Sequence, residues 1–376
     1  MLKLNDLSTV WLSMENDLVS NFSIVSIYTI FNIFLFYLGL HLPDDKLEQV
    51  KTLKQQLSKM SIEFEQNISN SVKTLEYSRE SLAGCPEEFL DSLEKAENGK
   101  LKVELSYPHY FPIMKKCKNP ETRKSLEAEF NSRAIDKNVS MLTEAIQIRL
   151  KKAKLLGYDT HANYTLELRM AKNQEKVATF LKDLAGKLKP FQDLDHALYL
   201  KYKKELCDEL KIPFDNKLAT YDWRYFSTMA EERLFQIDQE KIREYFPVDV
   251  VVNGTMSLYE RLFGLKFKPL DNKTELPAWH TDVKCFAAYD ADSDKLLNYI
   301  YLDLYPRPGK YTHACCIPLQ HNCDKVDGSG RQPGVTAVVC NFTKPDPNNN
   351  KPALLNHDEV ETFLHEFGHA VHNVVS

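Results

Sequence analysis

The sequence lacks the signals of two common functional classes. Its net charge is −5 and its pI is near 6.2, and no segment interleaves Lys and Arg with aromatic residues. These absences argue against a nucleic-acid partner. The glycine-containing stretch at residues 327–334, DGSGRQPG, lacks the G-x-x-x-x-G-K-[ST] pattern, so it predicts a loop rather than a phosphate-binding site.

A disulfide framework is also missing. The eight cysteines are scattered along the chain without regular spacing, which predicts free thiols and a reducing, cytoplasmic location. Cys315, Cys316 and Cys323 lie near two histidines and raise the question of a zinc site. Adjacent cysteines point in different directions, however, and no C-x-x-C spacing is present. We therefore expect thiols exposed on a loop in this region.

One hydrophobic segment stands apart from the rest of the chain. Residues 22–40 contain no charge, and their length suits a transmembrane helix. Lys3 is the only cation before them, acidic residues lie on both sides, and no cleavage-site pattern follows, which argues against an anchor or a signal peptide. A membrane anchor through residues 22–40 stays an alternative to the cytoplasmic location.

The first two thirds of the chain after residue 42 is dominated by periodic, charged segments that are typical of amphipathic helices. These segments lie at residues 44–80, 119–155, 173–190, 191–211 and 221–245. The charged residues near the start of the last segment, among them Asp222, form pairs at helical spacing. We assign them no chemistry.

Strand signals are fewer. Leu101–Leu105 predicts a short strand, and the prolines at residues 107–112 predict a turn after it. Val283–Tyr289 and Leu296–Leu304 predict a hairpin, and Val335–Phe342 predicts a further strand. A strand of this kind can bind an extended peptide along a free edge, unless it is paired on both sides. The predicted fold class is mostly α with a small β region.

The segment Thr362–Asn373, TFLHEFGHAVHN, contains the pattern H-E-x-x-H. On a helix, His365 and His369 lie on the same face and can direct two imidazole nitrogens at one Zn²⁺ ion. Glu366 is then close enough to accept a proton from an attacking water, as in zinc-dependent peptidases. The alternative is a buried amphipathic helix whose histidines satisfy local hydrogen bonds.

The sequence around this pattern supports a helix. Asn356 can act as the N-cap, with Glu359 three residues later as in a capping box. Apolar residues then recur at helical spacing, namely Val360, Phe363, Leu364, Phe367 and Val371. Gly368 costs the helix about 1 kcal/mol relative to Ala, and our hypothesis for it is close approach by another backbone or by a substrate.

The sequence lacks the Gly, Asn or Pro stop signal that usually ends a helix after its last apolar residue, here Val375. We therefore expect this helix to be truncated. Two histidines also leave a zinc ion short of the three protein ligands of catalytic sites. We expect the third ligand to come from elsewhere.

Several segments in their order along residues 39–376 resemble the zinc oligopeptidases of the thimet oligopeptidase and neurolysin family. They are GLHLP, EEFLDSLEKAENGKLKVELSYPHYFP, RLKKAKLLGY, YDWRYF, YFPVDVV, YIYLDLYPRPGKYTHACC, NFTKP and HDEVETFLHEFGHAVH. The resemblance implies a zincin-like, mostly helical fold with a deep channel, and substrates that are short peptides. It places the zinc ligands at His365 and His369 and the catalytic Glu at Glu366, and it does not imply a ligand at His372.

The resemblance also implies parts that this sequence does not contain. The third ligand of the family is a Glu roughly two dozen residues beyond the second His, so the fold is expected to be incomplete at both ends. Residues 1–38 match nothing in the family, and we favour mis-joined sequence over a genuine anchor for them.

Together these observations predict three parts: an unmatched N-terminal segment at 1–38, a helical domain part at 39–218, and a partial catalytic domain at 219–376. The predicted function is a monomeric zinc metalloendopeptidase that hydrolyses internal bonds of short peptides. The alternative is a catalytically incomplete fragment that acts at most as a peptide-binding or partner-binding module.

Overall fold

The computed structural model describes Leu35 and residues 37–71, 73–236, 239–271, 276–325, 328–344 and 352–376. The unmatched segment at 1–38 and the alternative anchor at 22–40 lie largely outside these residues. Within the described ranges, no helix combines the length and the apolar character needed to cross a membrane.

The chain is mostly helical with a small β part, as predicted. The helices in chain order are α1 (Asp44–Ser69), α2 (Glu87–Ser92), α3 (Tyr107–Lys116), α4 (Pro120–Asn131), α5 (Ile135–Leu155), α6 (His161–Leu166), α7 (Gln174–Leu210), α8 (Thr220–Phe235), α9 (Gln239–Arg243), α10 (Val248–Phe263) and α11 (His357–Val375). The strands are β1 (Thr74–Tyr77), β2 (Leu101–Glu104), β3 (Leu265–Leu270), β4 (Lys284–Asp290), β5 (Leu296–Asp303), β6 (Cys315–Gln320), β7 (Cys323–Asp324), β8 (Arg331–Gln332) and β9 (Gly334–Val339).

Backbone contacts divide the chain into two compact units, Met1–Phe64 with Asp136–Leu188, and Glu65–Ile135 with Lys189–Ser376. The first unit has a small core in which Val50 of α1 and Ala153 of α5 are buried with Leu156 and Tyr164. The second unit holds the sheets and α11. The boundary that we predicted between a helical part at 39–218 and a catalytic part at 219–376 stays a prediction.

Three local predictions were wrong. Residues 44–80 do not form one helical segment, because α1 ends at Ser69 and β1 then pairs antiparallel with β2. Residues 173–190 and 191–211 form one helix, α7, which runs through Pro190. The expected turn at residues 107–112 is the start of α3. Pro108 lies in the first helical turn, where proline is tolerated, whereas Pro112 lies inside the helix. The helix forms despite Pro112 because it buries several apolar side chains. These side chains are Tyr110, Ile113 and Met114.

The segment predicted to be helical at 221–245 breaks after Phe235, where Gln236 takes a left-handed conformation with φ of 54°. A helix and a strand for which we had no prediction follow it, α10 and β3. Gly264, with φ of 62°, ends α10 and lets the chain turn directly into β3, because glycine adopts this conformation at little cost.

The main sheet has five strands in the order β3-β4-β5-β9-β6. The predicted hairpin is confirmed by the antiparallel pairing of β4 with β5. β9 lies parallel to β5 and antiparallel to β6, so the predicted strand at Val335–Phe342 is paired on both sides. The edge on this side of the sheet is formed by β6.

One hydrophobic core of the second unit lies between this sheet, α10 and α11. Its fully buried members include Ile300 and Leu302 of β5, Val338 of β9, and Phe363 and Phe367 of α11. Burying side chains of this size contributes about 1.5–3 kcal/mol each. This packing fixes which face of α11 points away from the sheet.

Candidate metal centre and catalytic helix

The N-terminus of α11 is capped as the sequence predicted. Asn356 is the N-cap, and its backbone N–H donates to Oε2 of Glu359 at 2.7 Å. Burial raises the pKa of the Glu359 carboxyl, and the hydrogen bond from Asn356 acts in the opposite direction. A capped start sets the rotation of the helix, and with it the direction of each side chain further along.

The apolar face of α11 packs on the sheet. Phe363, Phe367 and Val371 are buried, as expected, and Ala370 and Val374 join them. Leu364 was wrongly placed on this face, since it is exposed. His365 and His369 are exposed on the opposite side, and Glu366 is half-buried. The two histidines are therefore not buried core residues. The alternative of histidines that satisfy local hydrogen bonds stays, because Nε2 of His369 lies within hydrogen-bond distance of Nε2 of His365.

The two imidazoles converge. Nε2 of His365 lies 3.2 Å from Nε2 of His369, and the two rings are nearly perpendicular at 83°. Zinc binds imidazole nitrogen at about 2.0–2.1 Å in a tetrahedral arrangement, which separates two such nitrogens by about 3.3 Å. The pair therefore fits one zinc ion. Within the described residues, no group of three or more His, Cys, Asp or Glu side chains could hold a metal.

Gly368 has a packing explanation. A Cβ atom at this position would lie 3.3 Å from the hydroxyl oxygen of Tyr259 in α10, and the ring of Tyr259 also packs against Phe367. The close approach that we expected is thus made by a phenol side chain, and not by a backbone.

The C-terminal part of α11 is tied to the sheet near its edge. The carbonyl oxygen of Asn373 accepts hydrogen bonds from Asn298 Nδ2 at 3.3 Å and from Asn322 Nδ2 at 3.2 Å. The side-chain amide of Asn373 donates to Sγ of Cys316 at 4.0 Å. Because Cys316 belongs to β6, these contacts set the edge strand directly beside the helix that carries the histidines.

Among the residues that the structure describes, β6 pairs with one strand only, β9, and forms the edge of the sheet. Ile317 and Leu319 of β6 are exposed, and Pro318 lies between them, as is common in edge strands. The sequence analysis had considered the strand at Val335–Phe342 for this role. The structure moves the free edge to β6, which the sequence analysis did not identify as a strand.

The cysteines near the helix belong to no group of three or more potential metal ligands among the described residues. Cys315 and Cys316 are half-buried on β6, so the expectation of exposed loop thiols was wrong for them, and only Cys323 is exposed. Burial, together with the negative charge of Glu366, raises the pKa of the Cys315 thiol and raises that of Cys316 to about 12. Both thiols are therefore protonated near neutral pH. All eight cysteines are free in the structure.

Asp222, to which we had assigned only charge pairs at helical spacing, is fully buried. Its carboxylate accepts from Arg123 at 2.9 Å and from Lys203 at 2.9 Å, and it joins α4, α7 and α8. The only sequence signal for this burial was the surrounding aromatic residues in YDWRYF.

A helix that directs two imidazoles at one point, beside a sheet with an open edge, is an arrangement found in metal-dependent peptidases. Residues 113–376 match the family model described as Peptidase family M3, and the chain belongs to this family. The resemblance that we found from the sequence is thereby confirmed.

Three relatives show the extent of the match. The chain is 37% identical over 345 residues to Thimet-like oligopeptidase of Dictyostelium discoideum, which covers 89% of this chain and 50% of the relative. Identity is 35% to saccharolysin of Saccharomyces cerevisiae, over 90% of this chain and 48% of the relative. Identity to oligopeptidase A of Escherichia coli is 31%, over 90% of this chain and 50% of the relative. The chain thus spans about half the length of these curated relatives.

Proposed function

We propose that this chain carries the zinc-binding helix of an oligopeptidase that hydrolyses internal bonds of short peptides. His365 and His369 are the metal ligands and Glu366 is the general base. The observation that carries the proposal is the 3.2 Å separation of the two Nε2 atoms on an outward face of α11, beside the open edge of β6. Family membership supports the same reaction class.

His365 and His369 would hold the ion through Nε2, leaving their Nδ1 atoms to other partners. A bound zinc ion would act as a Lewis acid on the attacking water and the scissile carbonyl. Catalytic zinc sites use three protein ligands, and the third is the Glu that the family resemblance implies.

Glu366 follows His365 by one residue, so its carboxylate leaves the helix about 100° away from the first imidazole. It is half-buried, which limits the directions available to its side chain. In this position Glu366 takes a proton from the attacking water and returns it to the departing amine nitrogen. The protonated thiols of Cys315 and Cys316 on the neighbouring strand do not compete as proton acceptors.

The edge of β6 would hold the substrate. An extended peptide paired with this edge places its backbone alongside α11, with main-chain hydrogen bonds supplying the affinity. This mode of binding does not depend on particular side chains, and it suits short, unstructured peptides. Consistent with this proposal, we expect no nucleic-acid partner, a monomer, and a cytoplasmic location, with membrane anchoring through residues 22–40 as the alternative.

A second candidate function is a peptide-binding or partner-binding module without turnover. It is favoured by the presence of only two metal ligands among the described residues, because two imidazoles bind zinc more weakly than three ligands. The two candidates differ in whether a chelator affects hydrolysis.

The test is to purify the chain, measure bound zinc, and assay a fluorogenic nine-residue peptide with and without chelator. His369→Ala should lose zinc and activity together. His372→Ala is the matched control, because His372 is exposed on the same helix and is not expected to bind zinc. Chelator-sensitive hydrolysis excludes the second candidate. Peptide binding without hydrolysis, in protein that contains zinc, would exclude the first.

A further inference from the structure

The strand order creates an unusual connection next to the candidate site. β5 and β6 follow each other in the chain, but β9 lies between them in the sheet. Residues 304–314, the crossover loop, therefore pass over the end of β9. Asp303 is the last residue of β5, Val339 is the last residue of β9, and Cys315 is the first residue of β6. Val339 is paired with both Asp303 and Cys315. Whatever fixes this loop also fixes where the edge strand begins.

A buried ion pair holds the first half of the crossover loop. Nζ of Lys310 lies 2.9 Å from Oδ1 of Asp303, and the side chains of both residues are 3% exposed. The same ammonium group donates to the backbone oxygens of Asp303 at 2.9 Å, Tyr305 at 2.7 Å and Cys340 at 2.5 Å. Lys310 thus joins β5, the loop and the residue after β9 at one point, and its three N–H donors are fully used.

Asp303 has further partners that keep it in place. Arg307 donates to both of its oxygens at 2.7 Å, and Trp279 donates through Nε1 at 2.8 Å. A buried carboxylate with several charge-assisted hydrogen bonds has one well-defined orientation. The carboxylate is therefore a fixed point for the loop.

Asn341 holds the second half of the crossover loop. Its Nδ2 donates to the backbone oxygens of Tyr311 at 3.0 Å and His313 at 3.3 Å. Two residues after His313 the chain enters β6, whose Cys316 contacts Asn373 of α11. Each half of the loop is thus attached to the segment that follows β9.

We propose that Asp303, Lys310 and Asn341 are positioning residues, which hold β6 where an extended peptide on its open edge reaches His365, Glu366 and His369. The inference rests on the proposed function in treating β6 as the peptide-binding edge. A purely structural role would stabilise the sheet without affecting peptide affinity.

Two substitutions separate the positioning role from general stability. Lys310→Met removes the ammonium but leaves Asp303 with Arg307 and Trp279, so the carboxylate stays paired. Asn341→Ala removes only the hydrogen bonds that hold the second half of the crossover loop. If Lys310→Met does not fold, Asn341→Ala alone tests the positioning role. Lys284→Met is the matched control, because Lys284 lies in β4 of the same sheet and forms an exposed pair with Asp249.

Each variant is made in the Glu366→Gln background, so that the dissociation constant of the fluorogenic nine-residue peptide is measured without turnover. We expect Lys310→Met and Asn341→Ala to weaken peptide binding about tenfold or more, as expected for the loss of well-placed hydrogen bonds. Hydrogen exchange of the β6 amides should accelerate by a similar factor, while bound zinc and exchange in α11 stay unchanged. Lys284→Met should change none of these.

Unchanged peptide affinity in folded Lys310→Met and Asn341→Ala proteins would overturn the positioning role, as would unchanged exchange in β6. Failure of the proposed function has a different signature. In that case the parent protein itself binds neither zinc nor peptide. Hydrogen exchange of β6 in the variants then still reports whether the crossover loop holds this strand.

Discussion

The Cβ atom that Gly334 lacks would lie 2.4 Å from Nδ2 of Asn298, the same nitrogen that donates to the carbonyl oxygen of Asn373 in α11. Gly334 begins β9 and pairs with Asn298 of β5. Because Gly334 has no side chain, the Asn298 amide has room to reach α11 and to attach this helix to the sheet.

Gly334→Ala should destabilise the protein by about 1–3 kcal/mol, because the added methyl group overpacks a buried site. It should also displace the Asn298 amide from α11. The free energy of unfolding in urea measures the first effect. Gly186→Ala is the control, since Gly186 lies within α7 with no atom near the position of an added Cβ. That change should stabilise by about 0.5–1 kcal/mol, and equal effects of the two substitutions would contradict the packing argument.

Asp222→Ala should be among the most destabilising single substitutions in the second unit. It leaves the buried cation of Arg123 without its carboxylate and Lys203 with Asp215 alone, and breaking such a buried pair costs about 3–5 kcal/mol. Asp183→Ala removes an exposed partner of Lys187 and should change the unfolding free energy by less than about 0.5 kcal/mol. Similar urea midpoints for the two variants would show that the buried cluster contributes little.

Acid should weaken the crossover loop over a defined pH range. Burial alone would raise the pKa of Asp303, but hydrogen bonds from Arg307, Lys310 and Trp279 outweigh it and lower the pKa from 3.8 to about 2. A carboxyl whose pKa is lower in the folded state stabilises the protein above its unfolded pKa, and this contribution is lost as the pH falls toward the folded pKa. For a shift of this size the contribution is about 2 kcal/mol.

We therefore expect the stability difference between the parent protein and Asp303→Asn to shrink by about 2 kcal/mol between pH 5 and pH 2. Urea unfolding at several pH values measures it. Comparing the two proteins at each pH cancels the titration of other carboxyl groups. A difference that stays constant over this range would refute the assigned pKa.

The eight thiols should react with a thiol reagent in a fixed order. Cys323 is exposed and should react first. Cys315 and Cys316 should follow slowly, because they are half-buried and have raised pKa values, and the thiolate is the reactive form. The remaining five are buried and should react only on unfolding. Cys323→Ser should abolish the fast phase, and any fast phase that remains in that variant would contradict the burial of the other thiols.

Glu366→Gln keeps the size of the side chain but removes the proton acceptor. If the proposed mechanism is correct, hydrolysis of the fluorogenic peptide should fall by at least about a hundredfold, the lower end of what general acid–base catalysis contributes. Bound zinc should not change, since Glu366 is not a ligand. Glu361→Gln, an exposed change on the same helix, should leave both unchanged. Retained hydrolysis in Glu366→Gln would remove this residue from the mechanism.

The elements that were predicted well are those encoded by nearby residues. The capped start of α11 at Asn356 and its apolar spacing are local features, as is the β4–β5 hairpin, whose strands are joined by a short turn. The convergence of His365 and His369 follows from helical spacing alone.

The features that were missed depend on residues far apart in the sequence. Asp222 pairs with Arg123, 99 residues away, and no local pattern distinguishes it from a surface carboxylate. The position of β6 at the edge follows from the insertion of β9, which only the complete sheet defines. At residues 107–112 the prolines indicated a turn, but the burial of Tyr110 and its neighbours outweighed that local preference.

The position of β9 also orders the folding of this unit. β3, β4 and β5 can pair one after another as the chain emerges, because their contacts are local. β9 has to enter between β5 and β6 after the loop that joins those two strands has already been made, and closing such non-local contacts is slow. α11 packs on the sheet that β9 completes. The packing of α11, and with it the direction of the two imidazoles, therefore depends on the non-local pairing of β9 with β5 and β6.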